Sequence, residues 1–337
     1  MMSDQVRIAA AIDVGSNSVH LLLTELGGEV LRDESVLLGL GAMVDMEGFV
    51  PDEGVAAAVE ALAAYVGTAE DEGAGSITLL ATEPLRRASN RTRVCAAVEE
   101  ATGYPLHVLS HDEEALLTVL AVLDGEPVAE PTLVLDIGGG STEIVLLEPG
   151  ADPVVGVIPV GSARLTAQHV EDDPPIDSEI LELRAESHHL FSSLPTGHPR
   201  RGVVVGGSGT NLIRLTTDEG DEEAPDPGLI DTRRTARAID IVQATPSAEL
   251  VATYGLRKRR VRQMAAGASL IEAALDCYNL EAVEASDASL REGVLIARDA
   301  AGEAWRASLV SLVSGDRAGD RSIDDQTAGP DDREERT

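Results

Sequence analysis

Two stretches of this 337-residue chain place an aspartate directly before a turn of small residues that separates two apolar segments. The first is RIAAAIDVGSNSVHLLL, residues 7–23 with Asp13, and the second is TLVLDIGGGSTEIVLL, residues 132–147 with Asp136. Each pattern is typical of a β-hairpin. Glycine permits close approach to the turn, and convergent backbone N–H groups at its tip form a concave site suited to anions. The repetition predicts a duplicated fold that binds a phosphate chain or a nucleotide between its halves.

Acidic residues near these turns could hold a metal ion or activate water. Glu143 lies across the second hairpin from Asp136, and two hard oxygen ligands in one place suit Mg²⁺. The alternative is that Asp13 and Asp136 only cap the N–H groups of their own turns. Glu113 and Glu114 open a predicted helix, where acidic residues are common because they favour the helix dipole. Their expected position at the hinge between the halves favours a carboxylate that orients or deprotonates water.

Two further segments could bind phosphate. Arg86 and Arg87 follow a predicted strand end at Ala81-Thr82, and a forked, permanently charged guanidinium is well suited to a phosphate group. A solvated surface position is the simpler explanation for either arginine taken alone. Residues 207–210, GSGT, lie between a strand and a helix and form either another anion site or an ordinary tight connection.

The composition restricts the class of protein. The net charge is −33, and the chain has 59 acidic residues, 26 basic ones and a single lysine, Lys258. This predicts a surface adapted to concentrated salt, where charges are strongly screened. A hydrophobic content of 43% argues against an acidic disordered protein. The charge argues against nucleic-acid partners and against anionic membranes. No apolar run is long enough to span a membrane, no signal peptide is evident, and Cys95 and Cys277 are expected to be thiols in a reducing cytoplasm.

Strands that alternate with helical periods indicate an α/β fold with a partly parallel sheet in each half. We expect one domain over residues 6–124 and a second over 125–313, whose C-terminal helix could pack back on the first. A polar acidic insert is predicted over 217–230, and a disordered acidic tail over 314–337. The predicted strands cover residues 7–23, 29–40, 76–80, 106–109, 132–147, 153–160 and 202–205. The predicted helices cover residues 52–70, 90–102, 112–123, 163–170, 177–193, 232–243, 257–278 and 289–313.

The motifs, taken in order, resemble those of the exopolyphosphatase/guanosine pentaphosphate phosphatase family, over about residues 8–298. The matching segments share small turn residues, paired acids or a basic residue at fixed places. They are IDVGSNS at 12–18, Ala81-Thr82 with Arg86 and Asn90, EEA at 113–115, DIGGGSTE at 136–143, Gly161 with Leu165-Thr166, GGSGT at 206–210, and Ser286-Asp287 with LREG at 290–293.

The resemblance implies duplicated actin-like (ribonuclease H-like) domains, with mixed sheets flanked by helices and an interdomain cleft. It implies that Glu114 is the general base, that Arg86 is a phosphate clamp, and that Asp136 and Glu143, with Asp13, hold Mg²⁺ or another divalent cation. The implied phosphate-binding residues are those of the three turns. They are Gly15, Ser16, Asn17, Ser18, Gly138, Gly139, Gly140, Ser141, Thr142, Gly207, Ser208, Gly209 and Thr210.

The chain departs from the family pattern at a few positions. His111 stands where a glycine usually precedes the paired glutamates, Pro84 interrupts the loop before Arg86, and Arg262 replaces a residue that is often acidic. The basic run 257–262 is either a lip that binds phosphate chains or a solvated helix face.

The resulting prediction is an exopolyphosphatase that uses a Glu-activated water to release terminal phosphate from inorganic polyphosphate. The alternative substrate is guanosine pentaphosphate. An actin-like small-molecule kinase and a non-catalytic polyphosphate sensor fit fewer of the residues. A homodimer is plausible by resemblance alone.

Overall fold

The computed structural model of the protein describes residues 7–217 and 228–315. Most of the predicted acidic insert, residues 218–227, and the predicted tail beyond residue 315 lie outside the described residues.

The first half is built on a five-stranded mixed sheet. Its strands are β1 (Ile8–Val14), β2 (Ser18–Glu25), β3 (Val30–Leu37), β4 (Ser76–Ala81) and β5 (Leu106–Val108), in the order β3-β2-β1-β4-β5. β1, β2 and β3 form an antiparallel meander, whereas β4 runs parallel to β1, and β5 runs parallel to β4. The central β1 is apolar and almost wholly buried, as expected for a strand covered on both faces.

The second half repeats this arrangement and adds one strand. It contains β6 (Thr132–Ile137), β7 (Thr142–Leu147), β8 (Val154–Ile158), β9 (Arg201–Val205), β10 (Leu229–Asp231) and β11 (Ala282–Ser286), in the order β10-β11-β9-β6-β7-β8. The order β8-β7-β6-β9-β11 matches the order β3-β2-β1-β4-β5 of the first sheet, and the strand directions match as well. β9 and β11 therefore take the places of β4 and β5. The duplication predicted from the two aspartate turns therefore extends to the topology of both sheets.

Helices cover the sheets. They are α1 (Leu40–Glu47), α2 (Asp52–Asp71), α3 (Glu83–Arg87), α4 (Arg91–Thr102), α5 (His111–Leu123), α6 (Ser162–His169), α7 (Asp177–Phe191), α8 (Gly207–Thr216), α9 (Thr232–Ala244), α10 (Ser247–Tyr254), α11 (Lys258–Arg262), α12 (Met264–Tyr278), α13 (Leu290–Ala301) and α14 (Trp305–Ser314).

Three groups of buried apolar side chains hold these layers together. One lies within the first half, one lies within the second, and the third joins the two sheets through α5, α13 and α14. The helices α5 and α13 cross closely at Gly293, where an added Cβ would lie 1.8 Å from the carbonyl oxygen of Leu117. Only glycine allows this approach, so the sequence at Gly293 sets how tightly the helices behind the cleft pack.

Several element predictions are corrected by the structure. The helix predicted over 257–278 is two helices, α11 and α12, which meet at Gln263, and the helix predicted over 289–313 is interrupted by a 3₁₀ turn at Gly302–Ala304. Gly302, which follows the last residue of α13, has a φ of +56°, a positive value that glycine adopts readily. The elements α1, α3, α10, β10 and β11 were not predicted. Among the described residues, no helix is both long and apolar enough to cross a membrane.

Candidate active site

The two aspartate turns are closed in the same way. Gly15 N–H donates to the Ser18 carbonyl over 3.0 Å, and Gly138 N–H donates to the Ser141 carbonyl over 3.0 Å. In the hydrogen-bond network of residues 7–217 and 228–315, the N–H groups at the turn tips, residues 16–17 and 139–140, have no acceptor. These N–H groups remain available to an anion.

A helix holds each turn from outside the sheet. Gly41 N–H, at the start of α1, donates to the Ser16 carbonyl over 2.8 Å, and Ser162 N–H, at the start of α6, donates to the Gly138 carbonyl over 2.9 Å. Both contacts need glycine, because a Cβ on Gly41 would lie 2.8 Å from the Ser16 Cβ and one on Gly161 would lie 2.4 Å from the Gly138 carbonyl oxygen. The unpredicted helix α1 is thus the counterpart of α6.

The turns face each other across a cavity of about 220 Å³. Strand ends from both sheets, α5, α8, α11 and the start of α13 contribute its remaining walls. The predicted site residues on the wall are Asp13, Gly15, Ser16, Asn17, Ser18, Glu114, Asp136, Gly138, Gly139, Gly140, Ser141 and Gly207.

Other predicted residues lie behind this wall. The Thr142 hydroxyl donates to the Val160 carbonyl over 3.1 Å. Ser208 packs against Gly267, where an added Cβ would lie 3.0 Å from the Ser208 Cβ. Gly209 is covered by Val204, whose Cγ1 would lie 2.9 Å from a Cβ added to Gly209. The lining of the cavity does not include Arg86, Glu143 or Thr210.

Three carboxyl groups at or behind the cavity wall, those of Asp13, Asp136 and Glu143, bind protons more tightly than usual. Burial raises the pKa of Asp13 to about 7; Arg291 opposes this increase and Asp136 adds to it. Burial, and then the Asp136 carboxylate, raise the pKa of Glu143 to about 8. Burial also raises the pKa of Asp136, and Thr118 donates to its Oδ2 over 2.9 Å. Since Asp136 and Glu143 are directly opposite each other in the hairpin register, the site concentrates acidic groups at one end of this hairpin.

Glu113 and Glu114 have separate environments. Glu113 forms a capping box with Ser110 and accepts two hydrogen bonds from Arg306, both 2.7 Å long. Glu114 faces the cavity, and burial together with the Glu143 carboxylate raises its pKa well above the usual range. The second glutamate of the pair is therefore the one available for chemistry.

Arg86 and His111 surround the carboxylates of Glu114 and Glu143. Arg86 Nη1 donates to Glu114 Oε2 over 2.5 Å and to the Leu109 carbonyl over 3.0 Å. His111 Nδ1 lies 3.1 Å from Arg86 Nη2 and 2.7 Å from Glu143 Oε1. Burial, and then Arg86, lower the pKa of His111, so its ring is neutral at neutral pH. The ligand atoms of His111, Glu114 and Glu143 all lie within 4.8 Å of one another.

Glu83 connects the two halves above the cavity. Ser16 donates to its Oε2 over 3.0 Å, whereas Arg87 and Arg164 both donate to Oε1, the latter over 2.5 Å. The same two arginines reach Asp45 at 2.8 and 3.4 Å. Burial would raise the pKa of Glu83, but these arginine contacts outweigh it and lower the pKa. We call Glu83, Arg87, Arg164 and Asp45 the Glu83 cluster.

The far wall carries basic groups and a histidine. Arg260 lies against Gly207, where an added Cβ would be 2.8 Å from its Cζ, and burial lowers its pKa, with Arg257 and Arg259 adding to the effect. His20 faces the cavity with its Nε2 2.6 Å from Ser18 Oγ, and burial, then Arg291, lower its pKa to about 4.

Sequence reasoning missed His20 and Glu83 and noted His111 only as a departure. His20 could have been found because it stands two residues after Ser18 on a strand, where side chains two apart share a face. Glu83 stands inside the Thr82–Arg86 segment, but its partner Arg164 is 81 positions away, so no local pattern indicated this contact.

Comparison with known proteins agrees with this geometry. The family model described as the Ppx/GppA phosphatase family matches residues 24–299. Exopolyphosphatase 1 of Mycobacterium tuberculosis is 30% identical over 304 residues, 85% of this chain and 86% of that protein. The guanosine-5′-triphosphate,3′-diphosphate pyrophosphatase of Vibrio cholerae is 25% identical over 328 residues, 95% of this chain and 65% of that protein.

Solved structures share the fold. The Ppx/GppA family member of Aquifex aeolicus superposes with a TM-score of 0.76 at 24% identity, covering 88% of this chain and 98% of that one. An exopolyphosphatase from Cytophaga hutchinsonii gives a TM-score of 0.75 at 21% identity, covering 91% of this chain and 99% of that one. The actin-like α/β fold implied by the resemblance, with two mixed sheets flanked by helices, is confirmed.

Proposed function

Because the chain belongs to the Ppx/GppA phosphatase family, we propose that it is an exopolyphosphatase that releases orthophosphate from the end of inorganic polyphosphate. The observation that carries the proposal is a cavity in which the carboxylate of Glu114 faces two turns with free backbone N–H groups. The similarity to a protein named exopolyphosphatase covers 86% of that relative, whereas the similarity to the guanosine-named relative covers 65%.

Glu114 would orient the attacking water and accept its proton. Its raised pKa brings the carboxylate nearer to the working pH, where a general base is most effective and contributes about 10²–10⁴-fold to the rate. Arg86, at 2.5 Å, stabilises the ionised form of Glu114. It would also clamp phosphate by exchanging its contacts to Leu109 and His111 for phosphate oxygens.

The turn N–H groups of residues 16–17 and 139–140 would bind the oxygens of the terminal phosphate. In phosphoryl transfer, catalysis depends mainly on positioning and on stabilising negative charge at these oxygens. Two turns that approach from opposite halves can hold one phosphate on both sides. The donors are fixed by α1 and α6 before the substrate arrives, so little reorganisation is needed.

The residues also fit a divalent cation. Asp13 Oδ1 is buried without a hydrogen-bond partner among residues 7–217 and 228–315, and Asp136 faces Glu143 in the hairpin. Carboxylate oxygens are the ligands that Mg²⁺ prefers, and we assign Asp13, Asp136 and Glu143 to it. When bound, Mg²⁺ would supply positive charge against the phosphate oxygens.

We propose a cytosol of concentrated salt as the working medium, since the net charge is −33. The decisive experiment therefore measures orthophosphate release in molar KCl with Mg²⁺, using polyphosphates of several lengths, guanosine pentaphosphate and ATP. Replacing Glu114 by Gln is expected to lower kcat by about 10²–10⁴-fold while leaving polyphosphate binding largely intact. The matched control is Asp112→Asn, which changes an exposed acid in the same helical turn and should leave the rate unchanged.

Each outcome has a distinct meaning. Release from polyphosphate that is lost in the Glu114 variant supports the proposal. Release only from guanosine pentaphosphate would make the protein a guanosine pentaphosphate 5′-phosphohydrolase. Transfer of phosphate from ATP to a small acceptor would indicate a kinase, and polyphosphate binding without turnover would indicate a sensor.

A further inference from the structure

His111 is the first residue of α5 and lies directly beside the mostly buried carboxylates of Glu143 and Glu114. Its Nδ1 is 2.7 Å from Glu143 Oε1, and the side chain of Glu143 is only 2% exposed. The ligand atoms of His111, Glu114 and Glu143 lie within 4.8 Å of one another. The three side chains come from α5 and β7 and converge on one small volume.

The hydrogen bonding around His111 Nδ1 is overcommitted. A neutral imidazole nitrogen carries either one hydrogen or one lone pair. If His111 Nδ1 accepts a hydrogen bond from Arg86 Nη2 at 3.1 Å, its lone pair is used, and the same nitrogen faces Glu143 Oε1 at only 2.7 Å. Donating to Glu143 instead directs a hydrogen toward the guanidinium N–H group. When Glu143 is ionised, the single Nδ1 atom cannot serve both neighbours, whereas a dication bound to this nitrogen and to the carboxylates would use the lone pair and balance both negative charges.

We propose that His111 Nδ1, together with the carboxylates of Glu143 and Glu114, forms a mixed nitrogen and oxygen site for a first-row transition-metal dication such as Mn²⁺ or Zn²⁺. Imidazole is a good ligand for Zn²⁺, and Mn²⁺ lies above Mg²⁺ in its tolerance of nitrogen beside carboxylate ligands, whereas Mg²⁺ takes oxygen ligands. The inference rests on the proposed function and refines which cation this chain selects. Each residue offers one ligand atom, so the second carboxylate oxygen of Glu114 would remain to accept the proton of the attacking water.

The site also has a consequence for Arg86. Its guanidinium lies 2.5 Å from Glu114 and 3.8 Å from Glu143, so an incoming dication would repel it. Arg86 Nε is already buried without a hydrogen-bond partner among residues 7–217 and 228–315. Metal binding to His111 would therefore displace the guanidinium from His111 and leave that part of it free to bind a phosphate oxygen.

The test measures metal binding by the full chain without substrate. Pulsed electron paramagnetic resonance of the Mn²⁺-loaded protein is expected to show coupling to a ¹⁴N nucleus, and His111→Asn should abolish this coupling. In equilibrium dialysis, the same variant should bind Mn²⁺ and Zn²⁺ more weakly, by at least about 10-fold, with less than about a threefold change for Mg²⁺. The control His188→Asn alters a histidine that lies on α7 beside Asp276 and should preserve the nitrogen coupling.

The inference is overturned if bound Mn²⁺ shows no nitrogen coupling in the unmodified protein, if no transition metal binds, or if His111→Asn weakens Mg²⁺ as much as Mn²⁺. A parallel assay of phosphate release with Mg²⁺ separates the two proposals. Hydrolysis without nitrogen coupling refutes only the metal assignment, whereas nitrogen coupling without hydrolysis of any substrate refutes only the proposed activity.

Discussion

Replacing Asp13 by Asn is expected to stabilise the metal-free protein at alkaline pH while it impairs phosphate release. Asp13 is the penultimate residue of β1, and its Oδ1 is buried and without a hydrogen-bond partner among residues 7–217 and 228–315. Asparagine keeps the shape of the side chain and removes the charge. The change therefore isolates the electrostatic cost of holding a carboxylate at this position.

The sign follows from the raised pKa. Burial raises the pKa of Asp13 from 3.8 to about 7, so the folded protein binds this proton more tightly than the unfolded chain does. The stability contributed by the protonated form is fully present below pH 3.8 and decreases as the unfolded chain ionises, until the folded group ionises near pH 7. At 1.36 kcal/mol for each pKa unit, the full loss is about 4 kcal/mol. This is an upper limit, because the carboxyl group borders a cavity that water can enter.

Urea unfolding at pH 5.5 and pH 8.5, in molar KCl with a chelator, measures this difference. The advantage of Asp13→Asn over the unmodified protein should grow by up to about 2 kcal/mol between the two pH values. The control Asp240→Asn, at an exposed position on α9, should show no growth. An advantage that is equal at both pH values, or a variant that is less stable at pH 8.5, would refute the argument that Asp13 is held in an unfavourable environment.

Two further predictions test the cleft and the helices behind it. Glu83→Gln removes the carboxylate that binds Arg164 across the cleft; it should lower the free energy of unfolding in urea by about 3 kcal/mol and increase the KM for polyphosphate. The control Asp45→Asn, at the exposed end of the Glu83 cluster, should lower the free energy of unfolding by less than about 1 kcal/mol. Equal losses in the two variants would contradict the central role of Glu83. Gly293→Ala places a Cβ 1.8 Å from a carbonyl oxygen of α5 and should destabilise the folded protein by about 3 kcal/mol or more. The control Gly67→Ala, on the open face of α2, should stabilise the folded protein by about 0.5–1 kcal/mol. Similar melting temperatures for the two variants would show that α5 and α13 can separate freely.

The elements predicted most accurately from the sequence are those with strong periodicity and local end signals. Helix α2 was expected over 52–70 and covers Asp52–Asp71, because apolar residues recur on one face along its length. Helix α1 was missed because residues 38–48 are rich in glycine and resemble a loop. Its position is set by the hydrogen bond from Gly41 to the turn at Ser16, a tertiary contact that no local pattern contains.

The same limit applies to the site. The turns themselves were predictable, since Asp, Gly and Ser recur at equal spacing in both halves. The contact between Arg86 and Glu114 was not, because Arg86 reaches this carboxylate only after α3 has packed beside β5 and α5. Glu83 and Arg164 are 81 positions apart, so their contact depends on how the two halves meet. Local motifs identify the groups that can react, whereas the packing of the halves decides which of them interact.

The duplicated topology also explains why cation and phosphate should bind together. Equivalent hairpins bring Asp13 and Asp136 to the wall of one cavity that also holds Glu114, and burial raises the pKa of each of these groups. Where these groups are ionised, a polyphosphate that entered alone would meet their negative charge, and a divalent cation that entered alone would lack the phosphate oxygens as ligands. Each should therefore increase the affinity for the other, and by linkage the two increases must be equal. The affinity for a non-hydrolysable phosphate chain, measured with and without the cation, must then give the same factor as the affinity for the cation measured with and without the chain.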